Sequence, residues 1–84
     1  MTEIRAAATS VPGALAVEKC FARKTGLRYH VDLHLEVDPE LTVRQSHEIA
    51  RQVRLKIVET LDWVADVLVH VEPAPRGLQS SPLH

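Results

Sequence analysis

Five histidines in a chain of 84 residues are the first feature that points to chemistry. The segment from Leu27 to Val37 reads LRYHVDLHLEV and alternates strictly between polar and apolar side chains. This alternation predicts a strand that carries four polar residues on one face, namely His30, Asp32, His34 and Glu36. Imidazole and carboxylate groups held this close together suit borderline divalent cations such as Zn²⁺, Co²⁺ or Fe²⁺.

A second strand carries a similar pair near the end of the chain. Residues 67–72 read VLVHVE, which places His70 and Glu72 on one face and three valines on the other. If the two strands are neighbours, their polar faces join and the two groups of ligands meet. The alternative interpretation is an open sheet face that is polar because it is wet, and spacing alone does not separate it from a metal site.

The other histidines and the single cysteine carry weaker signals. His47 lies near the start of a predicted helix, where a half-buried histidine packed beside apolar neighbours is the usual interpretation. His84 lies in the C-terminal segment, and we expect it to have no function. Cys20 alternates with Ala22 and Glu18, which predicts a buried, inert thiol. One cysteine cannot form an internal disulfide, as expected in a reducing cytoplasm.

Signals for catalysis are poor. The sequence contains no Gly-x-Ser-x-Gly motif, no phosphate-binding loop and no cysteine with a recognisable base. An open sheet in so small a chain offers no obvious substrate pocket for acid–base chemistry. We therefore expect a protein that is not an enzyme.

Composition narrows the classes of partner. Ten Lys and Arg against eleven Asp and Glu leave a formal charge of −1. This balance argues against nucleic-acid binding and against a polybasic membrane-surface module, both of which need a basic surface. The apolar stretches fall far short of the ~20 residues that span a bilayer, and no signal peptide opens the chain. We expect a cytoplasmic chain without direct membrane insertion.

The elements that must position the candidate ligands follow in the order α-β-β-α-β. They are a helix over 2–10, strands over 17–23 and 27–37, a helix over 43–61 and a strand over 67–72. The turn at Gly26 joins the first two strands into a hairpin. Thr42 and Gln45 form a capping box that starts the long helix. The segment 75–84 is rich in Pro and Ser and is predicted to be a disordered tail, which leaves one domain over 1–74.

The long helix determines the architecture. Its predicted apolar stripe consists of Val43, Ile49, Ala50, Val53, Ile57 and Leu61. A helix between the second and third strands is a crossover, so these strands can lie parallel and adjacent in one sheet. Both helices then cover the apolar sheet face. The result is a two-layer α+β sandwich with an open three-stranded sheet.

A further signal comes from three separated segments, which read VDLHLEVDPELTV, QSHEIARQV and ADVLVHVEP. In this order they resemble the C-terminal cytoplasmic domain of the cation diffusion facilitator family of metal/proton antiporters. Upstream, SVPGALAVEKCFARKTG is similar to the family's Val-Pro-Gly segment and first strand, so the resemblance covers about residues 4–74.

The resemblance implies a metallochaperone-like (ferredoxin-like) fold and a V-shaped homodimer. It also implies a transmembrane domain that moves divalent metal out of the cytoplasm, and metal binding near the dimer interface that tightens the dimer and regulates transport. By position, the implied ligands are His34, His47, His70 and Glu72, although the family's usual final pair is His-x-Asp. The iron-handling magnetosome branch uses an acidic residue that corresponds here to Asp32.

Two functions remain open from the sequence. The first is a regulatory domain of a divalent-cation efflux transporter, joined to the transmembrane domain of the same transporter. The second is a free-standing, dimeric metal-binding or protein-interaction module with no transport role. The imidazole content favours Zn²⁺, whereas a magnetosome relationship favours Fe²⁺, and Mn²⁺ is a further candidate. Without the family's six transmembrane helices, we expect no transport by this chain alone.

Overall fold

All five predicted elements are present in the structure, a computed structural model that describes residues 2–75. They are α1 (Thr2–Thr9), β1 (Ala16–Thr25), β2 (Arg28–Val37), α2 (Val43–Thr60) and β3 (Val64–Pro73). The predicted order α-β-β-α-β and the α+β class are therefore confirmed. The predicted tail lies outside the described residues from residue 76 onward.

The sheet has the strand order β1-β2-β3. β1 and β2 are antiparallel and meet at a turn in which Gly26 has a φ of 72°. β2 and β3 are parallel, with Leu33 opposite Val69 and Leu35 opposite Val71. The hairpin and the parallel crossover pair predicted from the sequence are thus both correct.

The core lies between the apolar sheet face and the two helices. Leu33 and Leu35 of β2, Ile4 of α1, and Val53 and Ile57 of α2 are all completely buried. Each such side chain contributes ~1.5–3 kcal/mol relative to leaving it in water. The helices cover one face only, so the polar face of the sheet stays accessible as the alternation predicts.

The stripe of α2 departs from its prediction at one end. Val43 is 84% exposed although it fits the apolar period. It is the first residue of the helix, and it lies in an open groove between α2 and β3 that also includes Val71. Periodicity assigns a residue to a face of a helix, but it does not say whether that turn of the helix is covered.

The start of α2 is fixed by the predicted capping box. The Gln45 backbone N–H donates to the Thr42 hydroxyl at 3.0 Å, and the Thr42 N–H donates to the Gln45 side-chain oxygen at 2.9 Å. Caps of this kind contribute ~1 kcal/mol to helix stability. The cap therefore determines where the crossover begins.

β3 begins at Val64, three residues earlier than the alternation predicts. A register shift between Tyr29 and His30 leaves Ala65 without a partner on β2, which breaks the alternation of β3 at its start. The Tyr29 N–H donates to the Trp63 carbonyl at 2.8 Å, and the two rings meet edge to face at 5.7 Å. Trp63 packs against the core and covers this edge of the sheet.

Gly13 allows the chain to pass from α1 into β1. Its φ is 93°, and a Cβ built on it would lie 2.6 Å from Cδ1 of Ile49 on α2. Gly26 also has a positive φ, of 72°, but a Cβ there would meet nothing within 4 Å. A comparison of the two glycines therefore distinguishes the effect of backbone strain from the effect of close packing.

We predict that Gly13→Ala destabilises the domain more than Gly26→Ala. Gly26→Ala is expected to cost ~1 kcal/mol through the left-handed backbone alone. Gly13→Ala is expected to cost up to ~1 kcal/mol more, because the Cδ1 end of the Ile49 side chain must also move. Urea unfolding of both variants measures the difference, and equal losses would show that the contact with Ile49 does not matter.

Candidate metal centre

The parallel register of β2 and β3 brings the two predicted ligand groups together on the open face. His34 lies opposite His70, and Glu36 lies opposite Glu72. The side chains of β2 alternate between buried and accessible, and His34 and Glu36 are half-buried on the accessible side. The prediction that the two polar faces join is confirmed.

Three residues converge closely enough to hold one metal ion. Glu18, His34 and Glu72 each offer a ligand atom, and these atoms lie within 4.8 Å of one another. Within residues 2–75, no other group of three or more His, Cys, Asp and Glu side chains meets this distance. The three residues come from three different strands, so the whole sheet contributes to the group.

Glu18 is the member of the group that the sequence analysis missed. A register shift lies between Val17, which pairs with Leu35, and Lys19, which pairs with His34. Glu18 is thus the extra residue of a β-bulge, and the bulge turns its side chain to the open face. Strict alternation had placed Glu18 on the side of Cys20, which is wrong.

A signal for this bulge is present in the sequence. Val17, Cys20 and Ala22 belong to the core side of β1, with Val17 buried and the other two packed partly against it. Their spacing of three and then two does not fit an unbroken strand, which requires a spacing of two throughout. One extra residue between Val17 and Cys20 restores the alternation.

A short hydrogen bond connects two of the candidate ligands. Nδ1 of His34 and Oε2 of Glu72 lie 2.5 Å apart, with the imidazole as donor and the carboxylate as acceptor. This hydrogen bond is the main reason that the pKa of Glu72 lies below its usual value, and a hydrogen bond from Glu18 lowers it further. Glu72 is therefore present as a carboxylate, the form that binds cations.

Glu18 shows the opposite shift. Its pKa is raised above the usual value, first by a hydrogen bond with Glu72 and second by the negative charge of Glu72. Because like charges close together disfavour the charged form, the contact with Glu72 favours the protonated form of Glu18. Lys19 lowers the pKa of both carboxyl groups but does not cancel the repulsion between them.

His70 stacks on the candidate ligand His34. The two ring centroids are 4.6 Å apart, and the planes are inclined by 22°. His70 is exposed and is not one of the three converging residues. It borders the group without joining it.

The structure places three other candidates outside this group. Asp32 is one rung further along β2, between Phe21 of β1 and Leu68 of β3. His30 lies opposite Arg23 and Asp66. His47 is exposed and lines the groove between α2 and β3, on the helix side of the sheet. The geometry within one chain does not bring Asp32 or His47 to Glu18, His34 and Glu72.

The donor set has a clear chemical preference. Two carboxylate oxygens and an imidazole nitrogen are hard to borderline ligands, which suit Zn²⁺, Fe²⁺ and Mn²⁺ better than soft cations. A divalent cation would neutralise the negative charge of both carboxylates. The residues present therefore fit a divalent metal ion.

Known proteins are similar to this one over most of the chain. Residues 1–74 match the family described as the cytoplasmic domain of cation efflux proteins. The chain belongs to this family. The family resemblance given by the three sequence segments is therefore confirmed, and the family is a transporter domain rather than an enzyme.

Two relatives carry names that refer to cation efflux. A probable cation efflux system protein of Mycobacterium tuberculosis is 36% identical over 66 residues, covering 79% of this chain and 20% of the relative. The manganese efflux system protein MneP of Bacillus subtilis is 37% identical over 57 residues, covering 68% of this chain and 19% of MneP. The chain spans about a fifth of the length of the curated relatives it matches.

Solved structures of MamM-CTD variants share the fold. One superposes with a TM-score of 0.85 at 32% identity, covering 88% of this chain and 92% of that chain. Two further variants of the same protein are described as a cadmium form and a nickel form. These structures have the ferredoxin-like fold that the resemblance implies. No helix within residues 2–75 is both long enough and apolar enough to cross a membrane.

We predict that Glu72→Gln lowers the pKa of Glu18. The substitution removes the charge of Glu72, and a glutamine amide donates a hydrogen bond that favours ionised Glu18. Carboxyl-detected NMR titration in the absence of metal measures the shift directly.

The matched control is Glu36→Gln. Glu36 also raises the pKa of Glu18, but it is the weakest of the causes. We expect Glu36→Gln to lower that pKa much less than Glu72→Gln does. Equal effects would mean that general negative charge, rather than the contact with Glu72, holds the proton on Glu18.

Proposed function

We propose that this chain is the metal-sensing and dimer-forming cytoplasmic domain of a divalent-cation efflux transporter. The observation that carries the proposal is the convergence of Glu18, His34 and Glu72 within 4.8 Å, in a chain of this family. In the remainder of such a transporter, a transmembrane domain of the same chain moves the cation out of the cytoplasm. This domain then lies on the cytoplasmic side of the membrane.

The proposed ligand is a divalent cation, with Zn²⁺ first and Fe²⁺ or Mn²⁺ next. Imidazole supports Zn²⁺, while two carboxylates among three ligands support the harder cations Fe²⁺ and Mn²⁺. The name of MneP refers to manganese, and the MamM-CTD variants include cadmium and nickel forms. These names concern the relatives, and they support divalent metal in general.

Glu18, His34 and Glu72 would hold the ion, and we propose His70 as the next ligand. The ring of His70 already stacks on that of His34. His70 would therefore reach the ion by rotation of its own side chain, with little movement of its neighbours. Asp32 and His47 remain predicted ligands. His47 lines the groove between α2 and β3, away from the other three ligands. We therefore assign it to a site shared with a second subunit.

The regulatory step follows from linkage. In the apo site Glu72 accepts a hydrogen bond from His34 and raises the pKa of Glu18, and a cation must displace that hydrogen bond. A cation that binds one arrangement of two domains better than another shifts the population towards that arrangement. Rising cytoplasmic metal thereby favours the closed dimer.

A second copy of the chain is the proposed occupant of the groove between α2 and β3. This groove has a volume of about 550 Å³, and its apolar floor is formed by valines on the side of β3 that faces α2. Val43 is 84% exposed and Val71 is 37% exposed, both at the same end of the groove. Covering this apolar surface would stabilise a homodimer, and the groove includes His47.

We predict that His34→Ala, Glu18→Gln and Glu72→Gln each weaken Zn²⁺ binding at least tenfold, as measured by isothermal titration calorimetry. Each variant removes a ligand atom, and even outer-sphere losses commonly cost 10- to 100-fold in affinity. Affinity should also fall as the pH drops, because protons compete with the cation for the imidazole and the carboxylates.

His30→Ala is the matched control for these variants. It removes an imidazole from the same face of β2, two rungs away from the site, and should change affinity less than twofold. If Zn²⁺ binds no tighter than millimolar, or if His30→Ala is as damaging as His34→Ala, the sensing function is wrong. The free-standing interaction module then becomes the better description.

We predict that Val43→Glu with Val71→Glu weakens self-association at least tenfold in sedimentation equilibrium. The two carboxylates would have to be buried against a second copy, which is costly without partners. Leu27→Glu is the control, because Leu27 is 94% exposed at the opposite end of the sheet. Equal losses in both proteins, or a wild-type monomer with and without metal, would exclude the groove as the interface.

A further inference from the structure

The basic charges of the chain are strongly segregated. Residues 19–31 contain four of the ten Lys and Arg residues and none of the eleven Asp and Glu residues. A net charge of −1 for the whole chain conceals this separation. The composition therefore says little about the surface at this hairpin.

Three of these cations lie at the free end of the hairpin. Arg23, Lys24 and Arg28 are all exposed and flank the turn around Gly26. With Leu27 they form a surface that we name the basic tip. Lys19 is excluded, because it lies beside the acidic ligands Glu18 and Glu72 at the other end of β1.

Leu27 is the most exposed large apolar side chain among residues 2–75. It is 94% exposed, and its neighbour in sequence, Arg28, is exposed too. Leaving a leucine in water at the end of a projecting hairpin forgoes the stabilisation that burial would give. An apolar side chain ringed by cations is suited to the interface of an anionic bilayer, where it enters the headgroup layer and the cations meet phosphates.

Two nearby acidic groups, Asp32 and Asp66, line the same surface pocket as Arg23 but do not form an ion pair with it. Asp66 lies opposite His30 in the sheet, but its carboxylate is 3.6 Å from the guanidinium of Arg54 on α2. Asp32 lies further from the turn, between Phe21 and Leu68. No ion pair with Arg23, Lys24 or Arg28 forms among the described residues.

We propose that the basic tip contacts the headgroups of anionic phospholipids on the cytoplasmic face of a membrane. This inference rests on the proposed function, which joins the domain to a membrane-embedded part of the same chain. Three cations and one leucine give weak binding in isolation. Tethering raises the effective concentration of the membrane, so a weak contact is enough to orient the domain.

The test is co-sedimentation of the 84-residue chain with metal-free vesicles of phosphatidylcholine alone or with 30% phosphatidylglycerol. We expect binding only to the anionic vesicles, with affinity falling as salt rises. The triple variant Arg23→Gln, Lys24→Gln, Arg28→Gln should weaken binding at least tenfold. Leu27→Ser should weaken it severalfold without a change in the salt dependence.

A control variant on α2, Arg44→Gln with Lys56→Gln, removes exposed positive charge away from the hairpin. It should bind vesicles within twofold of wild type. Equal losses in the basic-tip and control variants, binding to neutral vesicles or no binding at all would overturn the proposal. Binding of poly-glutamate by a chain that does not bind vesicles would overturn it in favour of an acidic protein partner.

The vesicle experiment and the metal titration test the two proposals independently. Chelator is present throughout the vesicle experiment, so loss of lipid binding says nothing against Glu18, His34 and Glu72. Conversely, the basic-tip variants should bind Zn²⁺ as wild type does. A chain that binds lipid but no metal would contradict the sensing function and leave the lipid contact standing.

Discussion

The parallel pairing of β2 with β3 is the constraint on which the candidate site depends. Leu33 and Leu35 are buried on one face of β2, and this burial fixes the register in which His34 faces His70 and Glu36 faces Glu72. A slip of one residue would turn the buried leucines to solvent and the imidazoles into the core. Packing on the opposite face of the same strands already determines where the site residues lie. Positioning the site therefore needs no further stabilising contacts.

The site also shows how a sheet tolerates carboxylates in close contact. Glu18 and Glu72 repel each other, which raises the pKa of Glu18, and the hydrogen bond from His34 stabilises the negative charge of Glu72. This stabilisation is exchangeable, because the hydrogen bond can be given up to a stronger positive charge. A site held by a permanent partner such as arginine would lack this property, since a guanidinium does not dissociate at neutral pH.

Much of this arrangement is predictable from the sequence, and the exceptions share a cause. The period of two in β2 and β3 predicts the accessible positions of His34, His70 and Glu72, and the capping box predicts the start of α2. Glu18 was missed because a bulge breaks the period of two in β1. The early start of β3 was missed because the unpaired Ala65 breaks the period in that strand. Periodicity assumes an unbroken strand, whereas a bulge depends on pairing with a neighbour that one strand alone does not reveal. The role of His47 was beyond such reasoning because it depends on what covers a groove.

The hairpin gives the domain two ends of opposite character. Acidic ligands gather where β2 ends, and basic residues gather where it begins. Six residues separate Arg28 from His34 along the strand, a distance of roughly 20 Å at ~3.3 Å per residue. At physiological ionic strength charges are screened over about 8 Å, so the basic tip does not weaken the attraction of a cation to the acidic end. The proposed lipid contact and the proposed metal site can therefore act independently, although one strand carries residues of both.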